Sequence, residues 1–206
     1  MNPGRIRIAC AAKLTRSVAA AVASAIFVGF ALTGCMSLEA GAHDLAFFKL
    51  VQKGTPQDVE AAIRNGAEVN DRSKSGFTPL MAAARSNPRP GVISALLQAG
   101  ADVNAHDGFD ETPLLFACQN NANPDVIITL LEAGADINAR DKSGWTPLMY
   151  AAALNPQAGL IIRTLLKEGA DANVRDSLGR AAIDIARGNH MLNANPVVQQ
   201  LEQATK

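Results

Sequence analysis

"TPLMYAAALNPQAGLIIRTLLKEGADAN", residues 146–173, decides how the rest of the chain is read. Thr146 and Pro147 open a helix. A threonine hydroxyl accepts one of the orphan N–H groups of a first turn, and a proline at the first helical position has no N–H to lose and a preset φ. The small residues Ala151, Ala152 and Ala153 follow, and side chains of that size let neighbouring helices approach closely. Asn155-Pro156 then reads as the same cap-and-proline device, opening a second helix. Gly169 suits the left-handed position that ends it.

The stretch recurs. "GAEVN" at 66–70 returns as "GADVN" at 100–104, "GADIN" at 134–138 and "GADAN" at 169–173, and "TPL" stands at 78–80, 112–114 and 146–148. A degenerate copy of the second motif, "AAI", falls at 181–183. Two motifs in fixed phase at a spacing of about 34 residues mark a repeat architecture. Thr78, Thr112 and Thr146 are expected as N-caps. Thr55-Pro56, Asn123-Pro124, Asn155-Pro156 and Asn195-Pro196 are expected to start second helices, and in the second unit Arg89-Pro90 aligns there, with Asn87-Pro88 just upstream. Val92, Ile93, Leu96 and Leu97 show the apolar stripe of such a helix. Between each GADxN asparagine and the next threonine lies a polar stretch, with Gly76, Gly144 or Gly179 near its end, which reads as a tight turn.

The unit is helix–loop–helix–hairpin. It resembles the ankyrin repeat, and the resemblance covers residues 44 to about 204. It implies an all-α solenoid of about five units. The first, Asp44 to Asn70, and the last, from Gly179, are expected as atypical caps, because one face of each terminal unit meets water. The histidine that usually follows Thr-Pro-Leu is replaced by Met81, Leu115 and Met149, and the loop between helices is longer by one or two residues. In the family that histidine makes a polar link between neighbouring turns, so more of the cohesion here is expected to come from apolar contact.

The first 35 residues are organised differently. Arg5, Arg7, Lys13 and Arg16 precede an apolar run, Ser17 to Leu32, which leads into "LTGC" at 32–35. A basic region, a short apolar run and small residues form the layout of a secretory signal. Leu-Thr-Gly-Cys resembles the bacterial lipobox, which implies removal of residues 1–34 and a lipid on Cys35. Residues 35–43 then act as a short linker and 44–206 as the repeat domain. Eight extended residues from Met36 to His43 reach roughly 27 Å, so the domain is expected close to a membrane surface. Met36 stands where an aspartate would mark inner-membrane retention, which points to the outer membrane and the periplasm. Cys10 leaves with the leader, so Cys118 is the one free thiol of the mature chain and is expected to be buried.

The whole chain has 19 basic and 19 acidic residues; without the four leader bases it has 15 against 19, a net of −4. An acidic body gives no electrostatic reason to bind nucleic acid. His43, His106 and His190 have no second ligand at metal spacing, and no nucleophilic triad or phosphate-binding loop is present, so neither enzyme activity nor a cofactor is expected. An envelope enzyme or small-ligand binder would need convergent polar groups in a pocket, whereas these are dispersed.

The resemblance implies instead a monomeric protein-binding module that uses its hairpins and the exposed face of its first helices. Equivalent hairpin positions form columns. Arg72, His106, Arg140 and Arg175 make a basic column, Lys74 and Lys142 a second pair, and Phe77, Glu111, Trp145 and Arg180 a third column, with Phe109 in the third turn. Trp145, the only tryptophan, is expected as a contact residue, because Trp, Tyr and Arg dominate interface energies. A basic column on an acidic body suggests a protein partner with an acidic patch, or anionic headgroups nearby. A specific variant is an inhibitor or immunity protein that neutralises a periplasmic toxin or hydrolase.

Overall fold

The structure is a computed structural model that describes residues 40–192 and 195–205. The leader, Cys35 and the linker up to residue 39 lie outside the described residues. The described part holds ten helices and no strand. Five form an inner layer: α1 (Ala40–Lys53), α3 (Pro79–Ser86), α5 (Pro113–Asn120), α7 (Pro147–Leu154) and α9 (Ala182–Gly188). Five form an outer layer: α2 (Pro56–Arg64), α4 (Pro90–Gln98), α6 (Pro124–Glu132), α8 (Ala158–Lys167) and α10 (Pro196–Ala204). Within each layer every helix packs on the next of its kind, so each unit meets its sequence neighbours, as in a solenoid. The first helix begins at Ala40, four residues before the expected Asp44.

The local signals act as their chemistry dictates. The hydroxyls of Thr78, Thr112 and Thr146 accept from the N–H groups of Met81, Leu115 and Met149 at 3.3, 3.4 and 3.4 Å, and Pro79, Pro113 and Pro147 begin the helices. Thr55 and Asp58 bond reciprocally in a full capping box. In the last unit Ala181 replaces the threonine, and Asp184 accepts from the Ala181 N–H instead, at 2.9 Å. Gly66, Gly100, Gly134 and Gly169 end the outer helices with φ between 87° and 94°, the left-handed geometry that a side chain disfavours.

Arg89-Pro90 starts α4, as its alignment suggests, with Asn87-Pro88 upstream of the helix. One expectation about the second helices is corrected: Asn155-Pro156 does not start α8. That helix begins at Ala158, with Gln157 before it. Asn155 is the C-cap of α7, equivalent to Asn87 and Asn121 at the ends of α3 and α5.

This equivalence also adds a polar part to the cohesion between units. The core is indeed continuous and apolar, from Phe47 to Leu201, with Ala83, Cys118 and Ala152 fully buried where the inner helices meet. A ladder of buried asparagines runs through it. Asn87 Nδ2 donates to the carbonyls of Val51 and Gly54 at 2.9 and 3.1 Å, Asn121 to Ala84 and Asn87, and Asn155 to Cys118 and Asn121, the last four all at 2.9 Å. Asn189 closes the series on Ala152 at 2.8 Å. Each amide satisfies carbonyls left open at the C-terminus of the previous inner helix. In the second unit the Met81 sulfur accepts from the Thr78 N–H at 3.3 Å, a bond within the unit.

Candidate interaction surface

The hairpins project from one edge of the stack and are tied in two rows. At their bases, Asn70 and Asn104 donate to the carbonyls of Gly100 and Gly134 in the next unit at 2.7 and 3.0 Å, and accept from the N–H groups of Asp102 and Asp136. At their turns, Gly108, Lys142 and Ser177 donate main-chain N–H groups to the carbonyls of Ser75, Phe109 and Ser143 at 2.7, 3.0 and 2.9 Å. One hairpin therefore sets the position of the next.

Inside each turn a short acceptor side chain holds the backbone. Asp107 Oδ1 accepts from Phe109 and Glu111, Asp141 Oδ1 from Ser143 and Trp145, and Asp176 Oδ1 from Leu178 and Arg180; Ser73 takes the role in the second unit. Asp107 and Asp176 are buried as a result. At Asp176 burial works to raise the pKa, but the Arg180 and Leu178 donors outweigh it and hold the carboxyl below its ordinary range. These acids thus face inward, while Arg72, Lys74, His106, Arg140, Lys142, Arg175 and Arg180 are all exposed.

The exposed cations are anchored as well as outward. Arg72 donates to the His106 carbonyl at 3.0 Å, Arg140 to the Arg175 carbonyl at 2.9 Å, Lys142 to the Gly108 carbonyl at 2.7 Å and Arg175 to the Gly179 carbonyl at 2.8 Å. His106 lies 3.8 Å from Asp110, and Arg180 pairs with Asp176 at 2.7 Å. Lys74 makes no ion pair among the described residues. Arg72, Arg140 and Lys142 are therefore also staples between hairpins.

The aromatic residues divide into two groups. Phe77 is half-buried, stacked 6.4 Å from Phe48 and edge-on to Phe116 at 5.0 Å. Trp145 does not stand free at a tip. Its rings fold back edge-on to the buried Tyr150 at 5.1 Å, and the Arg180 guanidinium lies 5.8 Å above them. Phe109 is the aromatic side chain that projects, at 63 % exposure. It occupies the turn position that Ser75 and Ser143 fill in the neighbouring units, and its successor Asp110 adopts the left-handed conformation (φ 63°) that Gly76 and Gly144 adopt there. Asp tolerates that region better than most side chains.

Tyr150 is the residue that column reasoning passed over. Its hydroxyl lies 3.0 Å from Glu111 Oε1 and 2.9 Å from Asp141 Oδ2, bridging two hairpins. A phenol has one proton to give, so two ionised carboxylates are not both satisfied. Burial raises the Glu111 pKa; the Tyr150 hydrogen bond opposes this, the Asp107 and Asp141 charges add to it, and Arg85 works against it, leaving a net increase. Burial and the Asp141 contact likewise keep the phenol protonated. Cys118 is fully buried and its thiol pKa is pushed well above the ordinary value, so it presents no thiolate nucleophile.

A family model for ankyrin repeats matches the chain in three overlapping stretches, residues 47–141, 88–176 and 115–194. No curated protein matches it.

Proposed function

This chain belongs to the ankyrin-repeat family, and from that premise we propose a protein-binding module held at the bacterial cell envelope. Ankyrin repeats generally mediate protein–protein interaction and are typically non-catalytic. The observation that carries the reading for this chain is the hairpin edge. Asp107, Asp141 and Asp176 are engaged by the turn backbone, the exposed Asp110 lies beside His106, the other hairpin cations face outward on a chain whose repeat domain is net acidic, and Phe109 projects from a pinned backbone. An anchored aromatic among cations is suited to an acidic patch on a protein partner, since little side-chain order is lost on docking. Arg72, Lys74, His106, Arg140, Lys142, Arg175 and Arg180 supply the charge; Phe109 supplies the apolar anchor. Phe77, Glu111 and Trp145, the third column, complete the proposed surface.

The lipid anchor belongs to the same proposal. The basic and apolar leader ending in "LTGC" supports a lipid on Cys35 and a location on the outer membrane facing the periplasm. Cys35→Ser is expected to abolish lipid labelling; persistent labelling would remove the anchor from the proposal. The binding reading is tested by capture of partners from envelope extract, with wild type compared against Arg140→Glu/Lys142→Glu. Expected is a protein whose capture fails with the variant and falls with salt. Tight one-to-one inhibition of that protein would identify the inhibitor or immunity variant. Capture that ignores both changes would overturn the assignment of the hairpin edge.

A further inference from the structure

Away from the hairpins, on the side where inner and outer helices are joined, a groove of about 440 Å³ lies between the last two units. Three large apolar side chains line it while facing water: Leu154 at 55 %, Leu160 at 45 % and Met191 at 85 % exposure. The repeat supplies its own control for these positions. Leu154 corresponds to Ser86 and Asn120, the residues before the ladder asparagines Asn87 and Asn121. In helix register Leu160 corresponds to Gly91 and Asp125. Met191 corresponds to Arg89, Asn123 and Gln157, each two residues after a ladder asparagine that accepts from its N–H. The earlier units therefore fold with polar or absent side chains at all three places. Folding does not require apolar ones, and exposed apolar side chains gathered in one groove mark a contact site.

We propose that this groove is a second docking site, independent of the hairpin edge, for a short segment of a partner protein carrying apolar side chains next to a carboxylate. Charge and size select this occupant. Among the described residues Arg163 is the only charged one lining the groove, it is exposed, and it pairs with no acid. An acidic residue beside the inserted apolar groups would complete it. A second copy of the chain fits less well, because 13 residues line the groove and a stable interface takes about 20–30 residues a side.

The test uses phage-displayed dodecapeptides selected on the immobilised full chain. The selected peptides are expected to combine apolar residues with Asp or Glu. Synthetic copies should bind at least tenfold more weakly to Leu160→Ser and to Arg163→Glu, and equally well to Phe109→Ala. Both changed positions are exposed, and an unaltered thermal melt would establish that the variants remain folded. The proposal is overturned if no peptide is selected, if the peptides lack acids, or if Leu160→Ser leaves affinity unchanged. It is also overturned if sedimentation shows a dimer that Leu160→Ser dissociates, since the groove would then be covered by a second copy.

Discussion

Asn121 donates its side-chain amide to the main-chain carbonyl of Asn87 at 2.9 Å, and Asn155 repeats the bond one unit later, on Asn121, at the same distance. The residues are 34 apart, one repeat, so each unit is tied to the one before it through a buried polar contact. Each amide also reaches a second carbonyl in the previous inner helix. The stack is therefore held in register as well as held together, since a sliding apolar face has no preferred stop and a hydrogen-bond pair does.

Asn121→Ala leaves the carbonyls of Ala84 and Asn87 without this donor in a buried setting. A buried acceptor left unpaired costs about 1–3 kcal/mol, so the variant is expected to lose roughly 2 kcal/mol or more in urea unfolding. Asn189→Ala, where the side chain makes one such bond and is half-exposed, should lose less. Equal losses at the two positions would mean that the ladder does not set the stability.

Glu111 gives the stack a pH dependence of known sign. Its folded-state pKa lies above the ordinary 4.5, so between the ordinary and the raised value the folded chain holds more protons than the unfolded one. That contribution is fully present below the ordinary value and is lost as pH rises through the raised one. Thermal melts should show it weakening as pH rises above the ordinary carboxylate range. Glu111→Gln should flatten this slope, and an unchanged slope would place the titrating group elsewhere.

Phe109 and Trp145 should separate in a pair of measurements. Phe109→Ala removes an exposed side chain and is expected to weaken partner binding about 30-fold, the equivalent of roughly 2 kcal/mol, with no change in the melt. Trp145→Ala removes the ring packed on Tyr150 and under Arg180. A half-buried aromatic of that size should cost roughly 2 kcal/mol of stability. A variant at Trp145 that melts like wild type but no longer binds would reverse the assignment.

Cys118 lies where α5 meets its neighbours and has no exposed surface. A thiol reagent should leave it unlabelled in the native protein and label it on unfolding. Cys118→Phe overfills the site and should destabilise by roughly 1–3 kcal/mol. Rapid native-state labelling would show that the inner layer opens readily.

The sequence by itself determined the repeat, its phase, the threonine caps, the left-handed glycines and the columns along the hairpins. Each of these is written into a few consecutive residues or into a fixed period, because caps and turns are satisfied locally and stacking copies the same position from unit to unit. Tertiary structure decided what a side chain does with the unit beside it. Asn155 before a proline has the local form of a helix start, yet its amide finds Cys118 and Asn121 across the interface and closes α7 instead. The recurrence of asparagine at 87, 121, 155 and 189 was present in the sequence, but its use depends on which carbonyls the previous helix leaves open. Trp145 has the local form of an exposed turn residue. Only the neighbouring Tyr150 and the next unit's Arg180 fold it back, because burying ring surface is more favourable than leaving it in water. Phe109 has no such neighbour contact among the described residues and remains exposed at the edge.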